Sequence, residues 1–367
     1  MPNELTFPLL YKTTKTGAIQ TYTVRVDEDI ITVTQGQLEG KKQSYTTTCM
    51  PKNVGRSNET TGHQQAALEA NAKITKKLKA GYSTSIEQPS ELLLPMKVKT
   101  YQSQLHNIPE HVYESPKLNG VNGEFRLVNK KLVLLSRGGN EYPMLEHLQV
   151  PITKLLTKLN TTSIAGELYI HGEFLQDITG AVKKFKQHIT PRIEFHVFDL
   201  PVMGHTRSIR VEYMDKHIGN QYSNNSIFLI PSVFIHRDNI VANHKIQVDE
   251  GYEGTVLYHP DGEYQYNIRS SYVWKYKLAQ DAEFKIVSHI RDKSGHPVFI
   301  CEANNKAKSH FAVKPKGTAA ERLAIQADAW HEQWMKVEFE MLSKDGKPQK
   351  PVGIGLRACN NKGEPLE

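Results

Sequence analysis

The sequence predicts a multidomain α+β protein built from three successive segments. Two observations carry the outer segments. Tyr22, Val24 and Val26 alternate with polar residues near the start, the period of a half-buried strand. Residues 279–367 return to short strand-like runs separated by turn signals. A third observation defines the middle: residues 96–278 interleave apolar runs with amphipathic helical patterns.

In the first segment Ile31 and Val33 continue the strand pattern, and Gln35-Gly36-Gln37 and Glu39-Gly40-Lys41-Lys42 punctuate it. A helix is expected from Thr61, because Thr61 and Gln64 have the spacing of a capping box. Ala66, Ala67, Ala70, Ile74 and Leu78 lie close to a 3.6-residue period. Lys73, Lys76, Lys77 and Lys79 crowd its end, where cations suit the helix dipole. Residues 84–95, with Ser, Pro and Glu, read as a linker.

In the middle segment, residues 121–135 read as a hairpin turning near Asn129. Residues 145–159 read as an amphipathic helix interrupted near Pro151. Residues 194–200 and 254–258 read as buried strands. In the last segment, strands at 283–289 and 298–303 flank a turn at Ser294-Gly295-His296-Pro297. Residues 320–329 read as a helix and 334–341 as a strand. Short strands with one helix suit an OB-fold β-barrel.

The chain has 367 residues, 38% of them hydrophobic and 23% charged, which excludes a disordered chain. The net charge of +7 favours an anionic partner, and nucleic acid is the common one. Cys49, Cys301 and Cys359 are far apart and lack metal-ligand spacing, so they read as reduced thiols in a cytoplasmic protein. No basic apolar leader opens the chain and no apolar run approaches the ~20 residues that span a bilayer. Neither secretion nor membrane insertion is expected.

Candidate chemistry centres on Ser115-Pro116-Lys117-Leu118-Asn119-Gly120. A lysine nucleophile must lose its proton, which neighbouring cations and desolvation promote. Gly120 allows a close turn beside it. Lys275 and Lys277 are two residues apart in a strand pattern and share a face. Two such lysines repel each other unless an anion sits between them. Lys183, Lys184 and Lys186 form a basic run that could track a phosphate backbone.

Further pieces follow Lys117 in order: Leu135-Ser136-Arg137-Gly138, Gly166-Glu167-Leu168, Phe195-His196-Val197-Phe198-Asp199, Glu253-Gly254 and Trp274-Lys275-Tyr276-Lys277. The ordered set resembles the nucleotidyltransferase motifs of ATP-dependent DNA ligases. Asn119 stands where that family has Asp. The resemblance implies that Lys117 attacks ATP and carries AMP covalently. It implies nucleotide contacts from Lys117, Asn119, Asn122, Arg137, Glu167, Phe198, Lys275 and Lys277. Within that set, Arg137 would meet the nick 5′-phosphate or the ribose, Glu167 a ribose hydroxyl, and Phe198 the adenine. Glu253 would hold Mg²⁺.

Residues 1–83 resemble the WGR-like domain of some phage-type ligases, through Gly36-Gln37, Gly40-Lys41-Lys42, Gly55-Arg56-Ser57-Asn58-Glu59-Thr60-Thr61 and Gly81-Tyr82. The Trp-Gly-Arg tripeptide itself is absent. This resemblance implies DNA contacts from Lys41, Lys42 and Arg56. Over residues 1–82, eleven Lys+Arg minus seven Asp+Glu leave +4, which suits a phosphate-facing role. Residues 96–278 then correspond to an adenylyltransferase domain of antiparallel sheets plus helices, ATP-grasp-like. Residues 279–367 correspond to an OB-fold domain whose final strand carries Arg357. An Arg-x-Asp-Lys sequence is absent there, which counts against a guanylyltransferase.

The implied protein is a monomeric DNA ligase that uses ATP and Mg²⁺ on nicked or cohesive-ended duplex DNA. It would serve replication, repair or recombination in the cytoplasm, that of the host if the chain is viral. Two other expectations stand beside it. The spacing Lys-x-x-Gly-x-Asn, with Asn119 and Asn122, is closer to some RNA ligases, so an RNA or RNA/DNA-hybrid ligase is one. A nick-binding protein with weak catalysis is the other.

Overall fold

A computed structural model describes residues 4–14, 16–86, 93–219, 221–222 and 226–366. The chain divides into two units, one of residues up to 95 with 137–140, the other of residues 96–136 and 141 onward. The expected linker at 84–95 falls partly outside the described residues.

The first unit is one sheet and one helix. Strands β1 (Glu4–Thr6), β2 (Leu10–Thr13), β3 (Ile19–Asp27), β4 (Ile30–Gln37) and β5 (Lys42–Thr48) form an antiparallel sheet in which β1 and β2 both pair with β3. The alternation seen in the sequence puts Tyr22, Val24, Val26, Ile31 and Val33 on the inner face. Helix α1 (Gly62–Lys79) lays Ala66, Ala70 and Ile74 against them. Its capping box forms as expected, with Thr61 Oγ1 accepting from the Gln64 amide and Gln64 Oε1 accepting from the Thr61 amide.

The second unit begins with β6 (Lys97–Thr100), β7 (His111–Lys117), β8 (Val121–Val128), β9 (Lys131–Ser136) and β10 (Glu141–Tyr142). The β8–β9 hairpin turns at Asn129 and Lys130, with φ of 49° and 65°, the left-handed pair of a tight hairpin turn. Then come α2 (Glu146–Lys158), β11 (Ser163–Tyr169), α3 (Leu175–Lys183), β12 (Glu194–Asp199), α4 (Arg207–His217), β13 (Gln221–Tyr222) and β14 (Ile227–Leu229). The chain continues through β15 (Val233–His236), α5 (Ile240–Asp249), β16 (Gly254–Tyr258) and β17 (Arg269–Tyr276).

These strands make two sheets, ordered β10-β9-β8-β11-β12-β14-β13 and β15-β7-β16-β17-β6. The sheets are mixed, which corrects the expectation of antiparallel sheets: β12 pairs β14 and β17 pairs β6 in parallel. The β12–β14 case follows from the intervening helix α4, since a helical crossover returns the chain in the same direction. The larger core lies under the first of these sheets, where α2 buries Leu148, Ile152, Leu155 and Leu156. Each contributes roughly 1.5–3 kcal/mol by leaving water. That burial also explains a second correction. Helix α2 runs unbroken through Pro151, because its apolar face outweighs the one hydrogen bond that proline removes.

The rest of the unit holds a closed barrel of β18 (Gln280–Arg291), β19 (Pro297–Glu302), β20 (His310–Pro315), β21 (Trp334–Phe339) and β22 (Val352–Arg357), in the order β18-β19-β20-β22-β21. Phe284, Ile286, Phe299, Val313, Met335 and Val337 fill it. The helix expected at 320–329 is shorter. It is α6 (Ala319–Leu323), followed by a separate turn at Ala327–Trp330. The break lets Ala327 bury and Trp330 stack on Phe299 at 4.9 Å, contacts a continuous helix would point elsewhere.

Candidate active site

Strand register assembles the site. β7 pairs with β16, setting Lys117 opposite Gly254, and β16 pairs with β17, setting Thr255 opposite Tyr276. Lys117, Glu253 and Lys277 therefore stand at the ends of three adjacent strands. The Glu253 amide donates to the Lys117 carbonyl at 2.9 Å and extends the ladder by one rung. Gly254 makes this crowding possible: its φ is +152°, and a Cβ there would lie 2.4 Å from the Tyr276 carbonyl oxygen.

The side chains meet as charged partners. Lys117 Nζ donates to Glu253 Oε2, and Lys277 Nζ donates to Glu253 Oε1 at 3.2 Å. All three are largely buried, with side-chain exposures of 22%, 15% and 17% for Lys117, Glu253 and Lys277. Burial pulls the Lys277 ammonium down, but the carboxylates of Glu340 and Glu253 outweigh it and hold it above the usual lysine range. Lys275 moves the other way: burial depresses it, and the ammonium of Lys277 adds to the effect. The repulsion expected between these two lysines is thus present, and carboxylates supply the anion.

The second wall comes from the sheet containing β8, β11 and β12. Asn122 pairs directly with Glu167, and Glu167 pairs with His196 across the next strand. Phe198 shares the half-buried face of β12 with His196 and Glu194, while Val197 and Asp199 point inward. Gly120 connects the walls: a Cβ there would come within 2.5 Å of the Leu168 carbonyl oxygen and 2.7 Å of Glu167 Cγ. Only the missing side chain lets the loop after Lys117 lie against the strand carrying Glu167. Asn119 Nδ2 points at Met341 Sδ, 3.2 Å away.

Other expected site residues lie elsewhere. Arg137 is exposed in the turn after β9, whose residues 137–140 fall to the first unit. Lys41, Lys42 and Arg56 are exposed residues of that unit, and the Lys42 ammonium donates to the Gln37 and Leu38 carbonyls. Lys183 ends α3, and Lys184 and Lys186 follow it, all exposed. Arg357 ends β22, with its guanidinium 3.9 Å from Glu283.

Sequence reasoning missed several groups. Ser115, two residues before Lys117, is buried and its Oγ has no hydrogen-bond partner. Asp199 is buried between two buried arginines, Arg210 at 2.7 Å and Arg207 at 3.2 Å. Burial alone would raise the Asp199 carboxyl, yet the two guanidiniums hold it below the usual range. Arg207 also donates to the Phe198 carbonyl at 2.8 Å and stacks on Tyr258. Glu124, fully buried on β8, accepts from Arg126 at 2.7 Å and from Tyr266 at 3.3 Å. The apolar-polar-apolar pattern of β8 carried a signal for Glu124; nothing local marked Glu340.

Among the described residues no group of three or more His, Cys, Asp and Glu side chains could hold a metal ion, and no helix is long and apolar enough to cross a membrane. A cation here could draw on Glu253, with Glu340 also beside Lys277, and would take its remaining oxygens from bound phosphate and water. The orphaned Ser115 hydroxyl and the excess of ammonium over carboxylate fit a polar, polyanionic ligand.

No family model and no curated protein matches the chain. Solved structures do match. One from a structure–function study of Lig E DNA ligases has a TM-score of 0.59 at 22% identity, covering 72% of this chain and 99% of its own. Proteins named Pmar-Lig_Pre and Pmar-Lig_PreS3 have TM-scores of 0.62 and 0.61 at 17% identity, covering 81% of this chain and 74% and 73% of theirs. The likeness is one of fold.

Proposed function

We propose that the protein is an ATP-dependent DNA ligase that seals 5′-phosphate/3′-hydroxyl nicks through an AMP carried on Lys117. The observation that carries the reading is the row of Lys117, Glu253 and Lys277 on adjacent strand ends, with the loop after Lys117 packed at Gly120 against Glu167, whose strand pairs with those of Asn122 and Phe198. Its setting, in a fold shared with a Lig E DNA ligase, supports DNA over other substrates.

In the first step the Lys117 amine attacks the α-phosphorus of ATP, an N–P bond forms and pyrophosphate leaves. The attacking amine must be neutral, and the Glu253 carboxylate in contact with it is the nearest base for that proton. Lys275 and Lys277 would stabilise charge on the α-phosphate as the leaving bond lengthens. Phe198 would stack on adenine and Glu167 would accept from a ribose hydroxyl, with Asn119 and Asn122 completing the polar contacts. Bound Mg²⁺, held by Glu253, would supply neutralisation of the triphosphate charge. The AMP then passes to a DNA 5′-phosphate, and the 3′-hydroxyl displaces it to close the strand.

We read the barrel as an OB-fold that closes on the duplex. The first unit is read as a WGR-like duplex contact, with Lys41, Lys42 and Arg56 facing phosphate. Lys183, Lys184 and Lys186 are read as further phosphate contacts. Labelled ATP with Mg²⁺ and denaturing electrophoresis test the central claim. Wild type should take a covalent AMP label and Lys117→Ala none. A wild type that stays unlabelled after pyrophosphate stripping defeats the reading. Sealing of all-DNA against 3′-RNA nicks then separates DNA from RNA joining.

A further inference from the structure

The charged row does not stop at Lys277. Its ammonium is also 2.8 Å from Glu340 Oε1, and Glu340 Oε2 is 2.7 Å from Lys350 Nζ. Glu340 follows β21 and Lys350 precedes β22, so both come from the barrel, whereas Glu253 and Lys277 come from the sheet of β7, β16 and β17. Charges thus alternate along one line: Lys117, Glu253, Lys277, Glu340, Lys350. The connection between β21 and β22 touches the nucleotide side at two more points. Met341 sits against Asn119, and Lys344 Nζ is 2.9 Å from Asp177 Oδ2 on α3.

We propose that Glu340 is a built-in competitor of nucleotide phosphate, its carboxylate taking the anion seat at Lys277 until ATP displaces it. The inference rests on the nucleotidyltransferase reading above. Its physical basis is the shortage of negative charge at the site. Among the described residues, Glu253 and Glu340 are the carboxylates paired with Lys117, Lys277 and Lys350, and Lys275 adds a fourth ammonium beside them. Glu253 is shared between Lys117 and Lys277, so Glu340 is the second anion on Lys277 and the one that also holds Lys350. A phosphate binding at Lys277 has to break the Glu340 pair, and the nucleotide's apparent affinity falls by the fraction of molecules in which that pair is formed. Glu340 is only about a third exposed, at 31%, so the pair is not fully screened. A polyphosphate carries more charge than one carboxylate and prevails once its concentration is high enough.

The test is the ATP-concentration dependence of self-adenylylation in wild type, Glu340→Gln and Lys344→Ala. Labelling of wild type is the gate: if it fails, the nucleotidyltransferase reading falls, independently of Glu340. With labelling in hand, Glu340→Gln should reach half-saturation at roughly two- to fivefold lower ATP, the factor expected for loss of one partly screened ion pair. The gain should shrink as salt rises. Lys344→Ala releases the loop from α3 but keeps the carboxylate, and should hold the wild-type half-saturation. An unchanged or higher half-saturation in Glu340→Gln overturns the proposal. So does a Lys344→Ala variant that matches Glu340→Gln, because loop docking rather than the carboxylate would then be the competitor.

Discussion

Replacing Asp199 by Asn should destabilise the second unit severely. Asp199 is 1% exposed and, among the described residues, is the carboxylate ion-paired with both Arg207 and Arg210, themselves 1% and 2% exposed. Arg210 grips it with two hydrogen bonds, at 2.7 and 3.0 Å. The amide keeps the shape but leaves two buried guanidiniums without the carboxylate that contacts them. Removing one partner of a buried ion pair costs about 3–5 kcal/mol. For a unit of this size each kcal/mol moves Tm by about 2–4 °C, so a fall of roughly 6–20 °C is expected. Scanning calorimetry reads it directly. The triple change Asp199→Leu, Arg207→Met, Arg210→Met should recover most of the loss, since no charge is then stranded. A Tm within about 2 °C of wild type in Asp199→Asn would refute the reasoning, because the arginines would have to be adequately solvated by other groups.

Two further outcomes follow from local geometry. Gly120→Ala forces a Cβ to within 2.5 Å of the Leu168 carbonyl oxygen, and overpacking of that kind costs about 1–3 kcal/mol. Because the loop then leaves Glu167, the rate of Lys117 labelling should drop about tenfold or more while the chain stays folded at 25 °C. His244 is buried, hydrogen-bonded to Thr255 at 3.1 Å and stacked on Tyr276, and burial holds its pKa below the usual histidine value. The unfolded chain therefore takes up the proton first, and stability is full above about pH 6.5 and falls as pH drops below it. His244→Phe should flatten that part of the Tm-against-pH curve; an unaltered slope would assign it to other groups.

The legible features were those whose cause is local. The capping box at Thr61 and Gln64 and the tight turn at Asn129 are decided within a few residues, and both form as expected. Lys117, Glu253 and Lys277 stood out because their neighbours form recognisable phrases, and strand pairing brings them together. Features decided by distant partners were not legible. Pro151 looked like a helix breaker because its cost is local while the burial of Ile152 and Leu155 is not. The helix expected at 320–329 yields to the burial of Ala327 and the stacking of Trp330 on Phe299, in a strand more than twenty residues away. Glu340 ends an ordinary alternating strand, and only docking of the barrel on the sheet gives it Lys277 as a neighbour.

The spacing of Lys117, Glu253 and Lys277 is fixed by main-chain hydrogen bonds between neighbouring strands rather than by the long stretch of chain between them. Lys117 and Glu253 are 136 positions apart, yet one ladder rung sets their separation. Insertions and deletions in the intervening segments should therefore leave the reacting groups in place, provided no strand changes register. A shift of one residue in β16 would do the opposite, turning Glu253 to the other face at once. Length variation between these positions is cheap for such a protein, and a frame change inside any of three short strands is not.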